Sequence, residues 1–169
     1  LPALPGEKPT LKDWEDHLTT AFPEVRLKRF LEMRGADGGP WRRLCALPAL
    51  WAGLLYHQES LDAAWDMVKG WDAETREGLR IAASEDALQA EVNGLKMQDL
   101  AAQAVEIAEA GLKARARPGA DGLIPDETHF LNALKDSIET GQTPADELLE
   151  KYHGAWGGDL NRIFAEYSY

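Results

Sequence analysis

Glu32 and Arg34 are the pair of residues in this 169-residue sequence best placed to do chemistry together. In an extended strand, residues two apart face the same way, about 6.6 Å apart. A carboxylate beside a guanidinium suits a nucleotide-triphosphate site, the carboxylate holding Mg²⁺ and the guanidinium binding phosphoryl oxygens. Phosphoryl transfer is catalysed largely by such positioning and charge neutralisation. The same spacing equally describes an ordinary ion pair on a solvated sheet face. Arg26 and Lys28 share that face, but on a straight strand they lie roughly 26 Å and 20 Å from Arg34. They suit either an outer rim or surface salt bridging. Asp37 and the Gly38-Gly39 pair fit a plain turn or a loop bordering a site. Arg42 and Arg43 suit nucleotide phosphates or the cap of a neighbouring element.

Positioning these groups requires a strand over residues 25–34. Val25, Leu27, Arg29, Leu31 and Met33 alternate with Arg26, Lys28, Phe30, Glu32 and Arg34, one face mainly apolar and the other mainly charged. The run 35–40, rich in glycine, ends it as a turn. Before the strand, Thr10 with Asp13 makes a capping box for a helix reaching about Ala21, which Pro23 stops. After Pro40 the chain reads as helical throughout. Leu44, Leu47, Trp51, Leu54 and Leu55 form a stripe with Pro48 in a first turn, and Ser60 caps the next helix. Asp72 caps a third, and an alanine-rich helix spans 97–116 with Leu100, Ala104, Ile107, Ala108 and Leu112 inward. Residues 118–125 read as a loop. Asp126 to Gly141, Thr143 to Gly154 and 160–166 complete six to eight helices. A lone strand leaves backbone groups unpaired on both edges, and no second good strand is evident, so its partners are expected from elsewhere.

The expected class is therefore mainly α with one or two β-strands near the N-terminus. Residues 1–9 read as a linker, 10–40 as the site-bearing helix, strand and glycine-rich loop, and 41–169 as helical. Net charge is −11, but residues 24–43 carry six basic and three acidic side chains, a local +3 that leaves −14 elsewhere. Such a balance disfavours nucleic acid and anionic membranes, while the concentrated cations suit an anionic ligand. One cysteine, Cys45, excludes an internal disulfide. The four histidines lack metal-ligand spacing. No run of ~20 apolar residues and no basic-then-apolar leader is evident, so a soluble, cytoplasmic protein is expected. The opening LPALPGEKP, without Met, suggests a piece of a longer polypeptide. Of the six tryptophans, most fall on helical stripes, and Trp41 sits beside the glycine-rich loop.

The stretch FPEVRLKRFLEMRGADGGPWRRLCALPALWAGLLY, residues 22–56, is similar to a segment of the plant-type glutamate–cysteine ligases, which many proteobacteria also carry. Further similarity lies in Thr143-Pro-Ala-Asp-Glu-Leu-Leu-Glu-Lys-Tyr and Gly154-Ala-Trp-Gly. The likeness runs over most of the chain and is weakest near 83–100 and 117–125. It implies the C-terminal part of an α+β ligase fold like that of glutamine synthetase, in which an antiparallel sheet lines a funnel-shaped Mg²⁺ site. It further implies that ATP phosphorylates the γ-carboxylate of glutamate and that the cysteine amine displaces phosphate to give γ-glutamylcysteine, the first step of glutathione synthesis.

On that resemblance Glu32 is a metal ligand for Mg²⁺ and Arg34 a catalytic contact to the transferring phosphoryl group, with Arg26 and Arg42 as further ATP contacts. The substrates would be glutamate and cysteine. The remaining ligands would lie in the remainder of the polypeptide, and this chain alone would be inactive. Exposed apolar surface is expected where missing parts pack, with a homo-oligomer as one way to cover it. Plant members carry a regulatory disulfide from a cysteine in the LCALPA segment to an earlier partner. That partner region is absent here, so the switch is not carried over to Cys45, which otherwise reads as an inert thiol in an apolar helix. A carboxylate–amine ligase with another substrate and a non-catalytic helical interaction module are the alternatives.

Overall fold

The computed structural model describes residues 5–36, 38–117 and 126–167. Asp37, the expected loop over 118–125 and the final Tyr169 lie outside the described residues. The chain divides into two units, Leu1–Asp37 and Gly38–Tyr169.

The first unit is one helix and one hairpin. Helix α1 (Leu11–Leu18) opens with the expected capping box. The Thr10 hydroxyl accepts from the Asp13 amide at 3.3 Å, and the Asp13 carboxylate accepts from the Thr10 amide at 2.6 Å. Two of the four orphan donors at a helix start are thereby satisfied. Strands β1 (Val25–Leu27) and β2 (Leu31–Met33) pair antiparallel, Val25 opposite Met33, Arg26 opposite Glu32 and Leu27 opposite Leu31. This corrects the single ten-residue strand. Lys28-Arg29-Phe30 turns the chain back, closed by the Lys28 amide donating to the Phe30 carbonyl at 2.9 Å. The ladder continues past β2 through the Arg34 amide, which donates to the Glu24 carbonyl at 2.7 Å. The strand thus supplies its own partner.

The second unit is helical around a small core. Helices α2 (Trp41–Leu44), α3 (Ala46–Leu55), α4 (Gln58–Val68) and α5 (Ala73–Asp86) lead into a short hairpin, β3 (Glu91–Val92) with β4 (Leu95–Lys96). Helices α6 (Met97–Arg115), α7 (Asn132–Thr140), α8 (Pro144–His153) and α9 (Arg162–Glu166) follow, so the described residues hold nine α-helices. The β3–β4 hairpin interrupts a stretch expected to be helical. Asn93 and Gly94, at φ 53° and 79°, supply the two left-handed residues that a two-residue hairpin turn requires. Ser60 is not a cap. It lies inside α4, buried to 4% exposure, with its hydroxyl 3.1 Å from His57 Nδ1, while His57 occupies the N-cap position. Asp72, Thr143 and Gly141 cap as expected, Gly141 at φ 68°.

Ala49, Leu54, Val105, Ala108, Leu112 and Leu131 form the core, drawn mainly from α3 and α6. Two glycines let these helices cross in close contact. A Cβ on Gly53 would collide with the Ala108 backbone, and one on Gly111 would collide with the Gly53 carbonyl. Large apolar side chains remain exposed in both units: Trp14, Leu27, Phe30 and Leu31 in the first, Trp41, Trp65 and Phe164 in the second. The expectation of exposed apolar surface is met. Trp14 and Trp65 are exposed and so lie outside the core, while Trp156 is buried.

Candidate functional site

Folding the 25–34 segment into a hairpin rebuilds the candidate site. Arg26, expected far from Arg34, is brought directly opposite Glu32, and its Nε donates to Glu32 Oε2 at 2.8 Å. Lys28 Nζ lies 4.0 Å from the same oxygen, and Arg34 Nη1 lies 3.8 Å from Oε1. One carboxylate is therefore surrounded by three cations, a local surplus of positive charge. The face assignment survives the fold-back because Arg26 and Glu32 are an even number of residues apart. Val25, Leu27, Leu31 and Met33 still share the opposite face.

The Arg26 hydrogen bond is the main reason the Glu32 carboxyl titrates below its ordinary value, and the charges of Arg26, Lys28 and Arg34 act in the same direction. Glu32 and Arg34 are half-buried and Arg26 is less exposed still, at 19% of its side chain. The Arg34 guanidinium lies 4.9 Å from the centre of the Phe22 ring, a cation–π contact that restricts its orientation. Phe22 was not evident as a site residue, since its position beside Arg34 follows only from the chain before β1 running back past the end of β2.

This donor set suits an anion. Three cations lie around Glu32, and four to six oxygens are needed to complete magnesium coordination. Among the described residues no three His, Cys, Asp or Glu side chains gather where one metal ion could be held. The described residues do not by themselves fit a Mg²⁺ site. What they can do is hold a phosphoryl or carboxylate group between Arg34 and Lys28, with Arg26 pinning Glu32.

Arg42 belongs to the second unit, on α2. Its Nη1 lies 3.9 Å from Asp136 of α7, both side chains being more than half exposed. Arg43 donates to the Ser137 hydroxyl at 3.2 Å. Gly38 and Gly39 precede this helix, and Cys45, a half-buried free thiol, follows it. No helix among the described residues is long and apolar enough to cross a membrane.

Comparison with known proteins places this geometry in context. The chain is 50% identical to the chloroplastic glutamate–cysteine ligase of Solanum lycopersicum, 49% to that of Nicotiana tabacum and 48% to that of Arabidopsis thaliana. Each match runs over all 169 residues of this chain and 31% of the relative, so the chain spans about a third of their length. These relatives are chloroplastic by name, which overturns the cytoplasmic expectation. A cytoplasmic enzyme had been inferred from a missing leader, a weak argument for a sequence that covers only part of its relatives. The profile of glutamate–cysteine ligase family 2 matches residues 5–166, nearly the whole chain. The chain thus belongs to glutamate–cysteine ligase family 2.

Proposed function

We propose that this chain is the C-terminal portion of an ATP-dependent glutamate–cysteine ligase, contributing cationic groups to the phosphoryl-transfer site. The observation that carries the reading is the cluster of Arg26, Lys28 and Arg34 around Glu32, in a segment matched throughout by relatives named for this ligase. The glutamate γ-carboxylate takes the terminal phosphoryl group of ATP and ADP leaves. The cysteine amine then attacks the acyl carbon, losing a proton as phosphate departs.

Arg34 is assigned to the transferring phosphoryl oxygens, where its planar donors suit charge that builds up in the transition state. The Arg26 hydrogen bond gives that residue a positioning role, holding Glu32 and through it the local field. Glu32 would hold Mg²⁺ only together with carboxylates outside this chain, and Arg42 is assigned separately to an anionic ligand of the second unit. Apolar residues left exposed on the hairpin, Leu27 at 79% and Leu31 at 57%, support packing against the remainder of a longer polypeptide. A second copy of the chain is the other cover, and sedimentation velocity over a concentration series separates the two.

The test is made in the complete polypeptide. Arg34→Ala is expected to lower kcat about 10²-fold, the scale of removing one preorganised donor. Glu32→Gln is expected to lower turnover and weaken its dependence on Mg²⁺. A near-normal rate in Arg34→Ala removes the assignment. The isolated 169-residue chain is expected to form no γ-glutamylcysteine.

A further inference from the structure

The second unit contains a cavity of about 370 Å³ between α2, the start of α8 and the C-terminal segment. Arg42 and Arg43 form one side, Glu147 and Tyr167 the other, and Pro40 and Leu148 add apolar wall. The two sides differ in how far their charges are satisfied. On the acidic side, the Tyr167 hydroxyl donates to Glu147 Oε1 at 2.6 Å and accepts from Lys151 Nζ at 2.8 Å. Glu166, also lining the cavity, accepts from the buried Trp156 indole N–H at 2.9 Å and from Arg162 at 3.1 Å. Both carboxylates are thus occupied by donors of the fold itself.

The basic side is not. Among the described residues Arg42 has one ion pair, to the distant, exposed Asp136, and Arg43 has the neutral Ser137 hydroxyl, while Glu147 feels both guanidinium charges at longer range. Among the described residues Arg43 has no carboxylate partner at ion-pair distance. A guanidinium carries five N–H donors, so most of those lining the cavity remain available. The cavity lining holds two arginines and two glutamates, and the glutamate charges are answered from behind by Lys151 and Arg162.

We infer that this cavity is a binding site for a small organic anion, a carboxylate or a phosphate monoester. Arg42 and Arg43 hold the charged group, and the body of the ligand lies against Pro40, Leu148 and Tyr167. The inference deepens the assignment of Arg42 to ligand binding and takes nothing from the hairpin. The Tyr167 bridge gives the C-terminal segment a positioning role, since it keeps that wall in place while neutralising no charge on the arginines.

Inorganic phosphate and, separately, glutarate are titrated into the ¹⁵N-labelled 169-residue chain at constant ionic strength, with sodium chloride as reference. Saturable shifts at the Nε–H signals of Arg42 and Arg43 are expected for at least one probe, and which probe saturates identifies the anion class. Arg43→Gln is expected to weaken that binding about tenfold or more, while Arg76→Gln, remote from the cavity, leaves it unchanged. Should Arg43→Gln lose its helical far-UV signal, Arg42→Gln, at an exposed position, carries the same expectation. Glu32→Gln is expected to bind like the parent, so failure here and failure of the hairpin assignment are separable. Linear shifts equal to those caused by chloride overturn the proposal. So does an Arg42 Nε–H shift in Arg43→Gln that saturates at the same probe concentration as in the parent.

Discussion

Replacing Gly111 by alanine inserts one methyl group at the tightest point of the second unit. The new Cβ would lie 2.9 Å from both the Gly53 carbonyl carbon and the Ser60 hydroxyl, and would run into the Gly53 carbonyl oxygen. Ordinary contact begins near 3.4 Å, so the atoms at 2.9 Å must move by ~0.5 Å and the Gly53 carbonyl oxygen by more. A gap of that size already forfeits about a quarter of the dispersion attraction across the contact. The clashing atoms are backbone and a buried serine, neither of which can swing aside. Overpacking of this kind costs about 1–3 kcal/mol, and the upper end applies here. Alanine regains about 1 kcal/mol of helix propensity.

The net loss is then about 2 kcal/mol, a fall in Tm of about 4–8 °C for a chain of this size. Thermal and urea melts followed at 222 nm measure it. Gly53→Ala is expected to cost as much, since its Cβ would meet Ala108 Cα at 2.7 Å. Once one methyl has parted the helices the second costs less, so the double variant is expected to lose less than the sum. Gly70→Ala, with nothing within 4 Å, serves as control and is expected to be neutral or stabilising. A Gly111→Ala melt within ~0.5 kcal/mol of the parent refutes the close crossing, because the overpacking term would then be missing.

Two further outcomes follow from local geometry. Gly94→Ala has open space around it but forces φ near 79°, so it is expected to cost about 1–2 kcal/mol through the backbone alone; equilibrium denaturation checks this. The Glu147 carboxyl is held below its ordinary value chiefly by the Tyr167 hydroxyl. A depressed folded pKa contributes stability that is present above the unfolded value, 4.5, and lost as pH falls through the folded value. Acidification below pH 4.5 is therefore expected to release the C-terminal segment, seen as a change in Trp156 fluorescence, and Tyr167→Phe to shift that release to higher pH. An unchanged midpoint in Tyr167→Phe removes the hydroxyl as the cause.

Much of the local structure was legible in the sequence because it depends on neighbours in the chain. The Thr10–Asp13 and Thr143–Asp146 boxes, the Asp72 cap and the Gly141 stop involve groups at most three or four residues apart, so residue type and spacing suffice to specify them. The Asn93-Gly94 turn carried the same kind of signal, but it was overlooked because strands of two residues show no periodicity. Ser60 misled for the opposite reason. A serine ahead of an apolar face resembles a cap, yet tertiary packing buried it one turn inside the helix, beside the Gly53–Gly111 crossing.

By itself, the sequence determined that the chain is mainly helical, that it belongs with the ligases its 22–56 segment resembles, and that Arg26, Glu32 and Arg34 share one face. That face is a matter of parity along the chain, and it survives the reversal because the three-residue turn pairs residues an even number apart. Only the tertiary structure decided which of those residues touch. A three-residue turn converted a separation of roughly 20 Å, as estimated from strand rise, into a 2.8 Å hydrogen bond between Arg26 and Glu32. Packing within the second unit set Arg42 and Arg43 across a cavity from Glu147 and Tyr167, more than a hundred residues later. Distances of that kind depend on where the chain reverses and which helices cross, and those choices are made by packing between distant segments.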